Sequence, residues 1–155
     1  MTEERTDPQS YFYYNNLVNI PENGSIAVHY DQDALKAYFK DHIIPQTVRF
    51  QSPAKRRAKL VADDYLDGAV LDQYPAEFID QLEARVRAHH FRFKSFMGAY
   101  KFYAQYAMKT NDGKRFLEDY NDRVVANALY LARGDQQLAK DLTDELINQR
   151  RRPPF

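Results

Sequence analysis

Between Phe91 and Met108 the chain places apolar side chains on almost every side of a helix. Phe96, Met97, Ala99, Tyr100, Phe102, Tyr103, Tyr106 and Ala107 follow one another at short spacings, so little of that helix is left for water. A helix of this kind is stable only when other elements cover it. It therefore predicts a central, buried helix running from Ser95, as N-cap, through Met108. Neighbouring segments offer suitable covers. Leu35, Tyr38, Phe39, His42 and Ile43 form one stripe at spacings of three and four, Leu60, Val61, Tyr65 and Leu66 a second, Phe78, Leu82 and Val86 a third, and Leu138, Leu142 and Leu146 a fourth. Punctuation falls between them. Asp31, Ser52 and Asp135 are predicted N-caps, Pro53 a first-turn proline, and Tyr74-Pro75 the start of a segment. Pro45, Gly68 and Gly134 are predicted stops. A further helix is expected from Lys114 to Arg133, with a break near Tyr120. The fold class is all-α with short connections. A short β-hairpin is expected near residues 17–28, with Leu17–Ile20 and Ile26–Val28 flanking the turn Pro21–Ser25, where Asn23-Gly24 supplies positive φ.

Composition removes several functions. A chain of 155 residues with 14% aromatics has material for one core, or for two small subdomains sharing one. Its formal net charge of +0 provides no global field to draw nucleic acid or an anionic membrane. With Cys at 0, disulfides, thiolate metal sites and cysteine nucleophiles are excluded. No apolar run reaches the roughly 18 residues of a membrane span. The polar opening Met1–Ser10 is not a signal peptide. A soluble, cytoplasmic protein is expected.

Candidate sites are few. Lys55-Arg56-Arg57-Ala58-Lys59 is the densest basic run. As a weak nucleic-acid patch it competes with the simpler reading of a solvated helix face balanced by Asp63, Asp64 and Asp67, which zero net charge favours. The helix start at Ser52-Pro53 could take a nucleotide phosphate on its backbone N–H groups, with Arg49, Ser52, Lys55 and Arg56 as the contacts. His29, His42, His89 and His90 lack metal-ligand spacing. His42 reads as a core histidine, and His89-His90 as a dipole-favoured helix end. The carboxylate pairs Asp63-Asp64 and Glu118-Asp119 diverge on a helix. Glu118 and Asp122 are expected to pair with Arg115 or Arg123 on its surface. No catalytic, cofactor-binding or metal residue is assigned. The 12 tyrosines suit a radical relay less well than a packed core, because Tyr100, Tyr103 and Tyr106 recur at helical spacing.

One extended pattern goes further. Phe91-Arg92-Phe93-Lys94, Phe96-Met97-Gly98-Ala99-Tyr100-Lys101-Phe102-Tyr103, Met108-Lys109-Thr110-Asn111-Asp112-Gly113-Lys114, Asp122-Arg123-Val124 and Leu131-Ala132-Arg133-Gly134-Asp135 together resemble the N-terminal region of the ribonucleotide reductase large subunit, in its class Ib form. Gln46-Thr47-Val48 with Phe50, and Leu71-Asp72-Gln73-Tyr74, are similar too, so the likeness spans about Asn16 to Arg150. It implies a helical N-terminal region leading into an α/β barrel. In the family that barrel reduces ribonucleoside diphosphates through a thiyl radical delivered by a metal-bearing small subunit. It also implies an arm at 1–15, a helical subdomain at 16–90 resembling a partial ATP cone, a segment at 91–150 leading to the barrel, and a divergent tail at 151–155. The family continues after Asn148-Gln149-Arg150 through a Gln-Pro-Ala-Thr-Pro-Thr-Phe segment, where this chain reads Arg151-Arg152-Pro153-Pro154-Phe155. The expectation is a portion of a large subunit that is inactive alone. Its partners would be the barrel and the small subunit, and its exposed helix faces would favour self-association into a homo-oligomer. Some relatives hold an adenine nucleotide beside a Phe-Phe-His-Asn segment. Here Arg49-Phe50-Gln51-Ser52 stands instead, without the histidine. The alternative is a non-enzymatic interaction or nucleotide-binding module.

Overall fold

The computed structural model describes Pro21–Glu22, Ser25–Ile26 and residues 28–148, with side chains from Gln32 onward. The expected arm, the Leu17–Ile20 segment and the tail at 151–155 lie outside the described residues. Strand β1 (Pro21–Glu22) pairs antiparallel with β2 (Ser25–Ile26), Glu22 opposite Ser25. A hairpin therefore does fall within 17–28, tighter than expected: its strands directly bracket Asn23-Gly24. The remaining regular structure among the described residues is helical. The chain forms two compact units, each built from two stretches of sequence. One joins the residues up to Val48 with Arg92–Leu117, and the other joins Arg49–Phe91 with Glu118 onward.

In the first unit, α1 (Val28–Tyr38) begins three residues before the expected Asp31 cap. It runs into a π-helical turn, Phe39–Ile43, and then α2 (Ile44–Gln46). Pro45 does not stop the helix where its preceding residue should have left helical space. Ile44 stays helical at φ −58° and ψ −47°, and only Thr47 turns extended. A proline inside a helix has no N–H to donate and crowds the carbonyl four residues back. The wider π turn, closed by the Ile44 N–H donating to Phe39 C=O, immediately precedes that proline.

The third helix of this unit, α3 (Phe96–Lys101), is capped by Ser95, whose Oγ accepts from Gly98 N–H at 3.1 Å. It too widens into a π turn, Phe102–Tyr106. The segment is less central than expected. Phe96, Ala99, Phe102, Tyr103 and Ala107 are buried, but Met97 is 47% exposed and Lys101, Ala104 and Gln105 face water. Its aromatic side meets α1 ring to ring. Tyr38 stands edge-on to Phe96 at 5.4 Å, and Phe39 to Tyr103 at 5.6 Å, separations at which aromatic pairs attract beyond simple burial.

The expected helix from Lys114 is absent up to Asp119. Phe116 instead lies between two extended segments. Its N–H donates to Gln46 C=O (2.8 Å) and its C=O accepts from Val48 N–H (2.9 Å). Leu117 N–H and Thr110 N–H link the same stretch to Met108 and Arg115 carbonyls. Asn111, Asp112 and Gly113 make the turn, with Gly113 at φ 72°.

The second unit is a helical cluster. It comprises α4 (Pro53–Ala62), α5 (Gly68–Leu71), α6 (Ala76–Arg87), α7 (Tyr120–Ala132) and α8 (Gln136–Ile147). Helices α7 and α8 form an antiparallel hairpin, and α6 packs against both. Phe78, Leu82 and Val86 are all buried, as their spacing predicted, and Ile79 joins them. Gly68 does not break α4. That helix has already ended at Ala62, and Gly68 opens α5 behind an Asp67 cap. On α8 the buried face is Ala139, Thr143, Leu146 and Ile147, while Leu138 is 42% exposed. The leucine spacing pointed about one residue away from the true core face.

Arg133 and Gly134 turn the α7–α8 corner at φ 49° and 91°, the left-handed region in which glycine is unstrained. Asp135 then caps α8, accepting from Leu138 N–H at 3.0 Å. Tyr74 secures the corner from outside the hairpin. Its hydroxyl donates to Leu129 C=O (2.7 Å) and accepts from Gly134 N–H (2.9 Å), while its ring stacks on Phe78. Among the described residues no helix is long and apolar enough to cross a membrane.

Candidate functional site

The site residues expected from the sequence gather at the start of α4. Ser52 is extended (φ −154°, ψ 161°), and its Oγ accepts from Lys55 N–H at 3.2 Å. Pro53 occupies the first helical position, where its missing N–H costs nothing. These two residues determine how much anion-binding capacity the helix start retains. Pro53 has no donor and Lys55 N–H is engaged by Ser52, which leaves the Ala54 amide as the first-turn donor pointing outward. Arg49 is exposed, and the Lys55 ammonium hydrogen-bonds to Gln51 Oε1.

Arg56 turns the other way. Its Nε lies 3.7 Å from Asp122 on α7, and both side chains are only 12% exposed. The rest of the basic run is likewise occupied within the unit. Arg57 donates to Glu83 (2.8 Å) and Asp80 (2.6 Å) on α6, and Lys59 pairs with Asp63 at 3.1 Å. Burial pulls the Arg57 guanidinium pKa down, but the hydrogen bonds it donates to Asp80 and Glu83 outweigh it and hold the group firmly charged. With Arg56, Arg57 and Lys59 engaged by carboxylates, the run offers phosphate little net attraction. Of the expected balance by Asp63, Asp64 and Asp67 only Lys59–Asp63 forms, and the face is not solvated throughout, since Arg57 is buried against acids of α6.

The second charge cluster was only partly legible. Asp119 and Asp122 cap α7 reciprocally: Asp119 Oδ1 accepts from Asp122 N–H (2.9 Å), and Asp122 Oδ2 accepts from Asp119 N–H (3.0 Å). Arg87, from the end of α6, reaches both carboxylates at 3.2 and 3.0 Å. Burial first, then the Asp119 carboxylate, push the Asp122 carboxyl up to about 6 against the pull of Arg56 and Arg87. The expected surface pairing of Asp122 with Arg115 or Arg123 gives way to these partners because α7 starts at Tyr120, which turns Asp122 inward. Arg123 does pair with Glu118, as expected, but Glu118 is 2% exposed, so that pair is buried and not on the surface. The signal available in the sequence was Asp119-x-x-Asp122 immediately before an apolar run.

His42 is half-buried against Tyr38, its Nδ1 3.2 Å from Gln46 Nε2. Burial and then Lys109 lower its pKa. His89 lies 3.5 Å from Asp144, which Arg85 holds bidentately and whose carboxyl pKa that hydrogen bonding lowers. Among the described residues no group of three or more His, Cys, Asp or Glu is placed to hold a metal ion. Tyr103 is buried among Phe39, Phe102 and Phe116, as a core residue.

Comparison with known proteins accounts for nearly the whole sequence. Residues 11–91 match the family model described as ribonucleotide reductase N-terminal, and residues 92–155 match ribonucleotide reductase, all-alpha domain. The two matches meet where the chain passes between its compact units. The chain is 37% identical over 147 residues to the ribonucleoside-diphosphate reductase subunit alpha of Mycoplasma pneumoniae, covering 95% of this chain and 20% of that protein. It is 38% identical over 152 residues to the Mycoplasma genitalium subunit alpha, covering 98% and 20%. For the Bacillus subtilis subunit alpha the figures are 39% over 139 residues, 90% and 20%. The chain thus spans about a fifth of the length of these curated relatives.

Proposed function

Because the chain belongs to the ribonucleotide reductase large-subunit family, we propose that it is the N-terminal helical portion of a class Ib subunit, supporting ribonucleoside-diphosphate reduction without performing it. The observation that carries this reading is the pairing of an aromatic block, Phe91–Tyr103, typical of the family's all-alpha region with a complete lack of cysteine. Thiyl-radical reduction needs a thiol to hold the radical and two more to supply electrons. Arg, Asp, Glu and Tyr side chains cannot replace them. The helical units would serve as a scaffold for a thiol-bearing barrel and its radical-generating small subunit, in the cytoplasm. Class Ib is favoured by the wording of Gln46-Thr47-Val48 and Leu71–Tyr74 as well as by the Phe91 block.

Two measurements test this. Incubation of the chain with cytidine diphosphate, a small subunit and a dithiol reductant should give no deoxycytidine diphosphate, and turnover would refute the scaffold reading. Replacing the matching fifth of the Bacillus subtilis subunit with residues 11–148 should retain reduction with a class Ib small subunit. A folded but inactive chimera would count against the class assignment.

A nucleotide-binding role rests on Arg49, Ser52, Lys55 and Arg56. The free Ala54 amide and the exposed Arg49 and Lys55 favour at most a weak phosphate contact, with Arg56 held by Asp122. Calorimetry with dAMP, dATP and ATP tests it, and no heat at millimolar ligand would remove it.

A further inference from the structure

We propose that the chain's two Asp-Gly pairs age differently: Asp67-Gly68 is a site of spontaneous rearrangement to isoaspartate, and Thr110 locks Asp112-Gly113 against it. The reaction needs no enzyme. The glycine nitrogen bonds to the side-chain carboxyl carbon of the aspartate, its proton leaves with a carboxyl oxygen as water, and a five-membered imide closes. Water then reopens the ring at the main-chain carbonyl, which leaves a β-linked backbone and a displaced carboxylate. Glycine favours attack because no Cβ guards its nitrogen. The glycine N–H must be free to give up its proton, and the carboxyl must be free to take one and swing onto the nitrogen.

Both aspartates are exposed, so burial protects neither. At Asp112-Gly113 hydrogen bonds occupy both reactants. Gly113 N–H donates to Thr110 C=O at 2.7 Å. Asp112 Oδ1 accepts from Thr110 Oγ at 2.5 Å and from Lys114 N–H at 3.0 Å. The Thr110 hydroxyl first, then the Lys114 N–H, hold the Asp112 carboxyl below its ordinary value, in the ionised form that resists attack. Thr110 is fixed in turn, its N–H donating to Arg115 C=O (2.9 Å) and its Oγ accepting from Arg115 N–H (3.2 Å). One threonine thus restrains nucleophile and electrophile together.

At Asp67-Gly68 the nitrogen has no such restraint. Gly68 opens α5, and among the described residues no group accepts from its N–H. The Asp67 carboxylate is held by one bond, from Ala69 N–H at 2.9 Å. The turn that keeps Asp67 extended (φ −79°, ψ 109°) is short: α5 has four residues, and Asp67 C=O accepts from Val70 and Leu71 N–H at 3.2 and 3.4 Å. A helix of one turn opens readily, and opening lets the carboxyl swing onto the Gly68 nitrogen.

The test is peptide mapping of the folded chain after prolonged incubation at neutral pH. Electron-transfer fragmentation locates isoaspartate, and each pair is referred to its own rate in urea. With two further hydrogen bonds to break, Asp112-Gly113 should be about tenfold slower or more, relative to Asp67-Gly68. Equal protection of the two pairs, or no isoaspartate at Asp67, would overturn the proposal. Thr110→Val removes the hydroxyl and should speed rearrangement at Asp112 severalfold while leaving Asp67 unchanged, whereas Thr110→Ser should not. A Thr110→Val chain as slow as wild type at Asp112 would overturn the lock. Should that variant fail to fold, the wild-type comparison alone decides.

Discussion

Tyr74→Phe removes one oxygen atom and leaves every apolar contact of the ring in place, so its cost measures how the α7–α8 corner is held. The hydroxyl serves two backbone groups that the helix geometry leaves over. Leu129 C=O is among the last four carbonyls of α7, which have no acceptor role inside the helix. Gly134 N–H lies just beyond the left-handed turn. Tyr74 is 5% exposed, so water cannot readily take over at Leu129, whereas the partly buried Gly134 amide is easier to rehydrate. An orphaned buried polar group costs about 1–3 kcal/mol. With one group fully stranded and one partly, the expected loss is about 2 kcal/mol, or roughly 4–8 °C in Tm for a chain of this size. Urea denaturation followed by circular dichroism measures it, with an unchanged m-value because no apolar surface is exposed. Hydrogen exchange at the Gly134 amide should quicken in parallel. A loss below about 0.5 kcal/mol, or an unaltered Gly134 amide, would show that the corner is held by the left-handed turn and the Asp135 cap without help from Tyr74.

Three further outcomes follow from other groups. Arg57→Ala should cost about 3–5 kcal/mol in the same denaturation assay, because it leaves Glu83 buried without a counter-charge, while Arg57→Met with Glu83→Leu should recover most of that loss. Ser52→Ala should cost about 1 kcal/mol as a lost N-cap; a change within error would show that Pro53 alone sets the start of α4. His42 has a lowered folded pKa, so it contributes stability that is complete above its unfolded pKa of 6.5 and declines as pH falls below it. Its two-dimensional NMR titration should therefore fall below 6.5, and replacing Lys109 with Met should raise the midpoint.

What the sequence made legible was the part of the fold that depends on local chemistry. The N-caps at Ser52, Ser95 and Asp135 form the expected hydrogen bonds, because a short polar side chain next to an extended residue has few better partners than a free helix amide. The α6 stripe was equally plain, since Phe78, Leu82 and Val86 repeat every four residues and no neighbour offers a rival face. Where tertiary contacts decide, periodicity misled. Lys114–Asp119 reads as helix, yet Phe116 is held extended by Gln46 and Val48, far away in sequence. Gly68 looks like a stop and is a start, because Asp67 caps the turn that follows. The π turns had no signature beyond Pro45, and without them the phase of the aromatic faces could not be read.

The candidate site divides in the same way. Ser52 at the helix start was predictable from its type and its proline neighbour. That Arg56 and Arg57 turn inward was not, because their acids lie on α6 and α7 and come close only after packing. The cap of α7 shows the limit most clearly: Asp119-x-x-Asp122 announces a cap, but Arg87 and Arg56, which pair with its carboxylates, cannot be located without the fold.

The interleaving of the two compact units bears on how the polypeptide is made. Each unit begins with one stretch of chain and is closed by another, after the 43 residues 49–91 for the first unit and the 26 residues 92–117 for the second. On a ribosome, neither nucleus can finish before synthesis has passed Leu117 for the first and reached the α8 helix for the second. Early helices wait with their apolar stripes bare, a stage at which a chaperone would be most useful.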